Sequence, residues 1–278
     1  MKTTPGAEPG RPRRHDRQEE CLTRPREPLP TRVEGLPLLP GSFHDRLDAA
    51  LQAIPIDLPP AGRAAIEGHV RLLIAWNAGI NLTATSDPGE IATRHVGDSL
   101  TAVPIVRELS IDALLDLGSG GGFPGVPLAA ALPLGRVGLV ESTTKKARFL
   151  QTVAVATGLA PRVSVHAVRA EALAADPRHR EAWPAVTARA VASLAELVEL
   201  AFPFIAPEGR LIAWKRRPLD VELAAAGRAV GALGGGRIET RSVAVIGLEE
   251  HELVVVTKSG RTPAGYPREP AARRRDPW

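Results

Sequence analysis

The stretch DLGSGGGFPG, Asp116 to Gly125, places five glycines in ten positions directly after the apolar run Ile111 to Leu115. An acid at the end of a strand, followed by a nearly bare backbone, suits a nucleoside-containing ligand. Glycines let such a ligand approach the main chain and allow turns closed to other residues. Gly120, Gly122 and Gly125 satisfy G-x-G-x-x-G, in which backbone amides and the following helix N-terminus hold a pyrophosphate. Asp116, Gly118, Gly120 and Gly122 also satisfy D-x-G-x-G-x-G. A carboxylate at the strand tip repels a pyrophosphate and attracts an ammonium group, so Asp116 favours a ligand that carries one. Glu141 ends the next apolar run, in VGLVES, 25 residues after Asp116. A carboxylate there can accept bonds from both ribose hydroxyls of either ligand. The purely structural alternative is a tight turn with the acid as a helix cap. Pro124 and Pro127 fit the first turn of the helix that follows, where a missing N–H costs little.

The second spacing is the pattern of S-adenosylmethionine-dependent methyltransferases, whose methionine moiety carries such an ammonium. Residues that would commit the chain to other chemistry are few. The single cysteine, Cys21, leaves no disulfide framework and no thiolate metal cluster, and it stands far from the glycine run. No metal site and no catalytic nucleophile are expected. Beside the fourth apolar run stands Thr187-Ala188-Arg189-Ala190, with no Asn/Asp-Pro-Pro-aromatic motif to orient an exocyclic amine. Arg189 can bind a phosphate or stack on a base, which makes it a substrate-positioning residue. Arg94, His95 and Asp98 form an RHxxD cluster at helical spacing, read as a packed link between elements with a base as the alternative. Lys145, Lys146 and Arg148 open a helix after Glu141 and are candidates for phosphate contacts. Trp76 reads as core, and Tyr266 either stacks on nucleic acid or pins the tail.

The elements that must position these residues follow from periodicity. Residues 1–42 carry eight prolines, many charges and no sustained apolar period, and are expected to be disordered. From Phe43 the pattern turns helical, with Leu47, Leu51 and Ile54 in one stretch and Ile66, Val70, Leu73 and Ile74 in the next. A third helix starts near Asp87, an N-cap with Pro88 at the first helical position and Glu90 three residues on. Residues 43–108 are therefore read as a helical cap. Beyond it, apolar runs at Ala113 to Leu117, Val137 to Val140, Val163 to Val165, Ala185 to Val191 and Leu211 to Trp214 alternate with helical stretches, including Lys145 to Ala156 and Ala192 to Phe202. That alternation predicts a mostly parallel, doubly wound α/β sheet over residues 109–258. Thr240 to Ile246 and Glu252 to Thr257 predict a closing hairpin and one antiparallel edge. Residues 259–278 form a basic tail.

The net charge of +4 is unevenly spread. Residues 1–42 hold eight Lys+Arg against six acids and residues 257–278 six against two, which leaves the middle at 21 against 23. Such tails neutralise nucleic-acid phosphate or simply keep a protein soluble, so charge alone does not choose a partner. With no apolar run of membrane-spanning length and no secretory leader pattern, a soluble cytoplasmic protein is expected.

Several motifs in register carry a more specific likeness. WNAGINLTATSDPGEIATRHVGDSL (Trp76 to Leu100), LLDLGSGGGFPGVPLA, VESTTKKARFL, VTARAVASL and TPAGYPR (Thr262 to Arg268) resemble the bacterial 16S ribosomal RNA guanine-N7 methyltransferase G family, also called glucose-inhibited division protein B. The likeness runs from about Leu47 to the tail. It implies a class I S-adenosylmethionine-dependent methyltransferase fold, Rossmann-like and seven-stranded, behind an N-terminal helical extension. It also implies methyl transfer to N7 of a guanine in the 530 loop, with 16S rRNA or the small ribosomal subunit as partner and a monomer as the working form. Carried over, Gly118, Gly120 and Gly122 border the methionine moiety, Glu141 the ribose, and Ala170 and Glu171 the adenine edge. Asp116, Ser119, Phe123 and Arg189 complete the expected cofactor-binding set. Arg189, Lys145, Lys146, Lys215 and Arg268 are the expected RNA contacts. Arg216 stands where the family commonly has glycine. The remaining alternatives are a class I methyltransferase acting on a small molecule or protein, and an NAD-binding oxidoreductase using Gly120, Gly122 and Gly125.

Overall fold

The computed structural model describes residues 28–278. Cys21, and the expectation of disorder as far as residue 27, lie outside that range. Residues 28–42 correct the remainder of that expectation, because residues 28–40 form a non-helical strap on the cap and residues 41–42 begin its first helix. Trp76 donates from Nε1 to the Pro30 carbonyl at 2.7 Å, and Arg71 donates to the carbonyls of Pro37 and Leu36. Val33, Leu36 and Leu39 pack against the core, so the prolines set a non-helical path without preventing burial.

The cap comprises four helical segments. Helix α1 (Gly41–Ala53) buries Phe43, Leu47 and Ala50, one face at helical spacing. Helix α2 (Pro60–Asn77) starts on Pro59-Pro60 and buries Ile66, His69, Val70, Leu73 and Trp76. At its end the Asn77 carboxamide oxygen accepts from the backbone N–H groups of Leu82 and Thr83, and this fixes the segment that follows. Helix α3 is α-helical over Pro88–Ile91, widens to a π-helix over Ala92–Gly97, and is α-helical again over Asp98–Leu100. The wide turns carry Arg94 and His95, in keeping with the frequent use of π-bulges at functional sites. Helix α4 (Val103–Glu108) leads to the sheet.

The sheet alternates β1 (Ala113–Leu117), α5 (Gly125–Ala131), β2 (Arg136–Val140), α6 (Thr144–Ala156), β3 (Val163–His166), α7 (Ala170–Ala174), β4 (Trp183–Arg189), α8 (Leu194–Ala201), β5 (Ile205–Arg216), α9 (Asp220–Ala232), β6 (Gly236–Ser242) and β7 (His251–Lys258), and the chain ends with α10 (Pro270–Arg275). The strand order is β3-β2-β1-β4-β5-β7-β6, with β1 to β5 mutually parallel and β7 antiparallel to both neighbours. This is the expected doubly wound sheet with one antiparallel edge. Its order reverses between β1 and β4, and ligands of such sheets bind at the carboxyl ends of the strands on either side of that reversal. Each sheet face has its own core. Leu114, Leu139, Ile212 and Trp214 face the cap, α5 and α6, while Leu115, Val140, Leu211 and Ala213 face α8 and α9. Among the described residues no helix is long and apolar enough to cross a membrane.

The closing hairpin differs from expectation. Strand β6 ends at Ser242, not Ile246, and residues 243–250 form an irregular connection in place of a short turn. Val243, Val245 and Leu248 are buried in the cap-side core, so their alternating pattern reflects packing under the cap and not pairing with β7. Strand β4 stops two residues early, at Arg189, because Ala190 takes a left-handed conformation at φ 56°.

Candidate functional site: a cavity between the cap and the glycine turn

The β1–α5 turn is built largely from its own backbone. Ser119 N–H donates to the Val140 carbonyl at 3.0 Å, and Gly122 and Phe123 donate back to the Ser119 carbonyl at 2.7 and 3.2 Å. Gly122, at φ +92°, has no room for a side chain, since a Cβ there would come within 2.7 Å of His69 Nε2. Gly120, at φ +54°, is the opposite case: nothing lies within 3.7 Å of the position a Cβ would take. Its bare backbone opens on a cavity of about 770 Å³. One wall comprises Gly118, Ser119, Gly120, Gly121, Phe123 and Glu141, and the other comes from the cap, including Thr83, Glu90, Arg94, His95 and Asp98.

Glu141 follows Val140 and therefore emerges on the cap side of the sheet. Its Oε2 accepts from Gly120 N–H at 3.0 Å and its Oε1 from Thr143 N–H at 2.7 Å. Each oxygen keeps a free lone pair toward the cavity, which suits a pair of ribose hydroxyls. The open face of Gly120 beside this carboxylate fits an adenosyl ligand.

Asp116 is placed differently from expectation. It is 0% exposed, with Oδ1 accepting from the Thr187 hydroxyl at 2.8 Å and Oδ2 from Gly125 N–H at 3.3 Å. Thr187 is its neighbour in register on β4, so both side chains share the cap-side face. Burial pushes the Asp116 carboxyl up to about 6, against the pull of its hydrogen bonds. Asp116 thus ties the glycine turn to β4 and does not reach the cavity. With both oxygens so engaged, Asp116 does not by itself separate the two ligand classes.

Where cap meets sheet, the cavity is edged by a chain of committed polar groups. Arg189 donates to Asp98 Oδ2 at 2.9 Å, to the Arg94 carbonyl at 3.1 Å and to His95 Nδ1 at 3.1 Å. Because arginine only donates, His95 Nδ1 is an acceptor and its Nε2–H donates to the Thr83 hydroxyl at 2.8 Å. The His95 ring stacks on Phe123 at 5.0 Å. Burial, followed by the Arg189 charge, pushes its pKa down to about 4. His95 is therefore the hydrogen-bonded link between cap and sheet that the sequence suggested. Asp98 also accepts at Oδ1 from His251 Nδ1 at 3.0 Å, and His251 Nε2 accepts from Arg216 Nε at 3.0 Å. Trp214 Nε1 donates to the Asp98 carbonyl at 2.8 Å.

Other expected contacts fall elsewhere. Lys215 follows Trp214 and so points to the opposite sheet face at its cavity edge. Its ammonium donates to the Ala192 carbonyl at 2.9 Å and pairs with Glu222 at 2.6 Å, bonds that hold the β4–α8 loop. Lys146 lines the cavity mouth, whereas Lys145 and Arg148 line a separate groove beside Trp76 and Pro30. Trp76 is core, packed on Phe149. Glu171 does not lie at the cavity: it pairs with Arg273 at 2.5 Å, and Ala170 packs on the far core. Arg268 is likewise structural, bound to Glu199 at 2.6 Å and to Asp276 at 3.3 Å. Tyr266 stacks on Trp278 and serves to pin the tail.

His69 and His251 escaped the sequence reading. His69 is fully buried and its Nε2–H donates to the Gly121 carbonyl at 2.7 Å, which supports the glycine turn from beneath. Burial pushes its pKa down to about 4. The available signal was a histidine at helical spacing among Ile66, Val70 and Leu73. His251 carried no such signal, because its meaning depends on β7 lying opposite Arg216.

A family model described as rRNA small subunit methyltransferase G matches residues 63–246. Proteins named ribosomal RNA small subunit methyltransferase G are similar along most of their length. The one from Roseiflexus castenholzii is 45% identical over 70% of this chain and 83% of its own. Those from Sorangium cellulosum and Bacillus pumilus are 40% and 35% identical, over 87% and 84% of this chain and 97% and 98% of theirs. With these matches over most of its length, the chain belongs to the rRNA small subunit methyltransferase G family.

Proposed function

We propose that this protein transfers a methyl group from S-adenosylmethionine to N7 of a guanine in the 530 loop of 16S rRNA, acting as a cytoplasmic monomer on the small ribosomal subunit or its RNA. The observation that carries the reading is the cavity itself. An adenosyl-fitting turn at Gly120 and Glu141 opens directly onto a mouth lined by Arg94, Lys146 and Arg216. That cationic mouth favours a polyanionic substrate over a small neutral one.

Bound S-adenosylmethionine supplies a methyl group activated on a sulfonium. Guanine N7 has a free lone pair and loses no proton on methylation, so the protein's task is placement. Holding two reactants in attack geometry can contribute about 7 to 11 kcal/mol to a rate. The groups that join cap and sheet serve that end: Arg189 of β4 and His251 of β7 bond to His95 and Asp98 of the cap in one network, and the Phe123 ring of the turn stacks on His95.

The test is transfer of labelled methyl to undermethylated small subunits and to their deproteinised RNA, with the product nucleoside identified and mapped. The expected result is 7-methylguanosine in the 530 loop, and the ratio of the two substrates identifies the form recognised. Protein that binds S-adenosylmethionine but labels neither substrate would overturn the RNA reading.

A further inference from the structure

We propose that Glu90 reads the target base, its carboxylate accepting from the N1–H and the N2 amino group of the guanine whose N7 is methylated. The inference rests on the reading of that substrate as a guanine in RNA.

Three carboxylates line the cavity: Glu90, Asp98 and Glu141. Asp98 is occupied by Arg189 and His251, and Glu141 by the N–H groups of Gly120 and Thr143. Glu90 alone of the three receives no hydrogen bond or ion pair at its carboxylate from the described residues. Its position would ordinarily give it a local task. A glutamate at the third position of a helix reaches back to the N-cap N–H and completes a capping box. Here only half of the box is made. Asp87 Oδ1 accepts from Glu90 N–H at 2.7 Å, but Asp87 N–H donates to the Thr85 hydroxyl at 3.2 Å. The Thr85 bond replaces the one Glu90 would accept, and a half-buried carboxylate is left on the cavity wall.

The placement matches the geometry of the base. Glu90 belongs to the cap wall, and the glycine turn to the sheet wall. On guanine, N7 lies on one edge of the ring system and N1 and N2 on the adjoining Watson–Crick edge, with O6 between them. A guanine that presents N7 toward the turn keeps its N1/N2 edge free for a neighbouring wall of the same cavity, and Glu90 stands on the cap wall. Adenine also offers an N7 lone pair, so N7 chemistry by itself does not choose the base. Guanine carries two adjacent donors on its Watson–Crick edge, matching the two oxygens of a carboxylate, whereas adenine carries an acceptor and a C–H at the same two positions. A carboxylate is thus a discriminating partner, and it leaves a buried charge unpaired when the wrong base enters.

The test uses the full-length protein and subunits assembled from RNA with guanosine or inosine at the target position, since inosine lacks the N2 amino group. Wild-type kcat/KM is expected to fall about tenfold or more on inosine, as expected for loss of a charged hydrogen bond. Glu90→Ala is expected to fall by a similar factor on guanosine and to lose the discrimination between the two substrates. Glu90→Gln, which keeps one acceptor, is expected to fall between. S-adenosylmethionine affinity by calorimetry and the thermal midpoint should match wild type in both variants. Full activity of Glu90→Ala on guanosine, retained discrimination, or an altered midpoint would overturn the proposal. Weakened cofactor binding would also overturn it, by assigning Glu90 to the methionine ammonium. Absence of methyl transfer to RNA by the wild type would instead remove the substrate reading on which the proposal stands.

Discussion

His69 shows how one side chain serves both the cap and the cofactor turn. It belongs to the apolar face of α2, yet its Nε2–H satisfies the Gly121 carbonyl, and the neighbouring Gly122 must lack a side chain to admit its ring. Its ordinary pKa of 6.5 is pushed down to about 4 by burial. The unfolded chain therefore takes up the proton first as the pH falls. The stability His69 contributes is full above pH 6.5 and is lost between pH 6.5 and 4, and a shift of this size corresponds to about 3 kcal/mol. His95, also pushed down to about 4, acts in the same direction over the same window. Asp116 opposes them: its carboxyl is pushed up to about 6, so the cost of its buried charge is relieved as the pH falls from 6 to 3.8. The His69 contribution is isolated by His69→Gln, which retains a donor and cannot titrate. Urea unfolding from pH 7 to 4 is expected to give a flatter dependence of stability on pH for this variant than for the wild type. Equal slopes would show that His69 is not a buried neutral donor.

At the scale of elements, the tail is a strap across α8. Glu199 on α8 is 0% exposed and accepts from Arg268 N–H at 2.8 Å, from its guanidinium at 2.6 Å and from Trp278 Nε1 at 2.7 Å. Arg273 of α10 reaches Glu196 on α8 and Glu171 on α7 at 3.0 and 2.5 Å. Arg268, the tail arginine expected at the RNA, and Arg273 are both held by these acids, while Arg274 and Arg275 are exposed. Arg268→Ala would strand a buried carboxylate, and breaking such a pair costs on the order of 3 kcal/mol. The thermal midpoint is expected to fall by roughly 8 °C in a domain of this size. RNA affinity per folded molecule should be unchanged. A variant that melts like wild type but binds RNA more weakly would return Arg268 to the interface.

At the scale of the molecule, folding rearranges the charge. Formal basicity lies at the two ends of the chain, and the middle is slightly acidic. The fold nevertheless gathers Arg94 from the cap, Lys146 from α6 and Arg216 from β5 around one mouth, while Arg268 and Arg273 are neutralised by acids. A salt titration tests whether that mouth is the RNA interface. For single-stranded RNA each phosphate contact contributes about 0.7 to the slope of log K against log salt. Replacing Arg94, Lys146 and Arg216 together by alanine should lower the slope by about 2 and leave S-adenosylmethionine affinity unchanged. An unchanged slope would move the interface to another face.

The sequence by itself determined the alternation that builds a doubly wound sheet, the position of β1, the glycine turn, Glu141 at the tip of β2, and the helical cap with Asp87 as the N-cap of α3. These are local properties: periodicity, turn-forming residues and caps act within a few residues of one another. Family membership was legible for a related reason, since several motifs stand in a fixed order along the chain. Tertiary structure alone decided what each polar side chain touches. Asp116 lies next to the end of β1, but the Thr187 hydroxyl on β4 and the Gly125 N–H hold its carboxylate out of the cavity, and Lys215 at the cavity edge is paired with Glu222 on α9. Arg268 was withdrawn by Glu199, 69 residues away in the chain, and His251 acquired a role through Asp98, 153 residues away. Such pairings depend on which elements lie adjacent and on which sheet face a residue emerges, and one-dimensional spacing carries neither across a crossover.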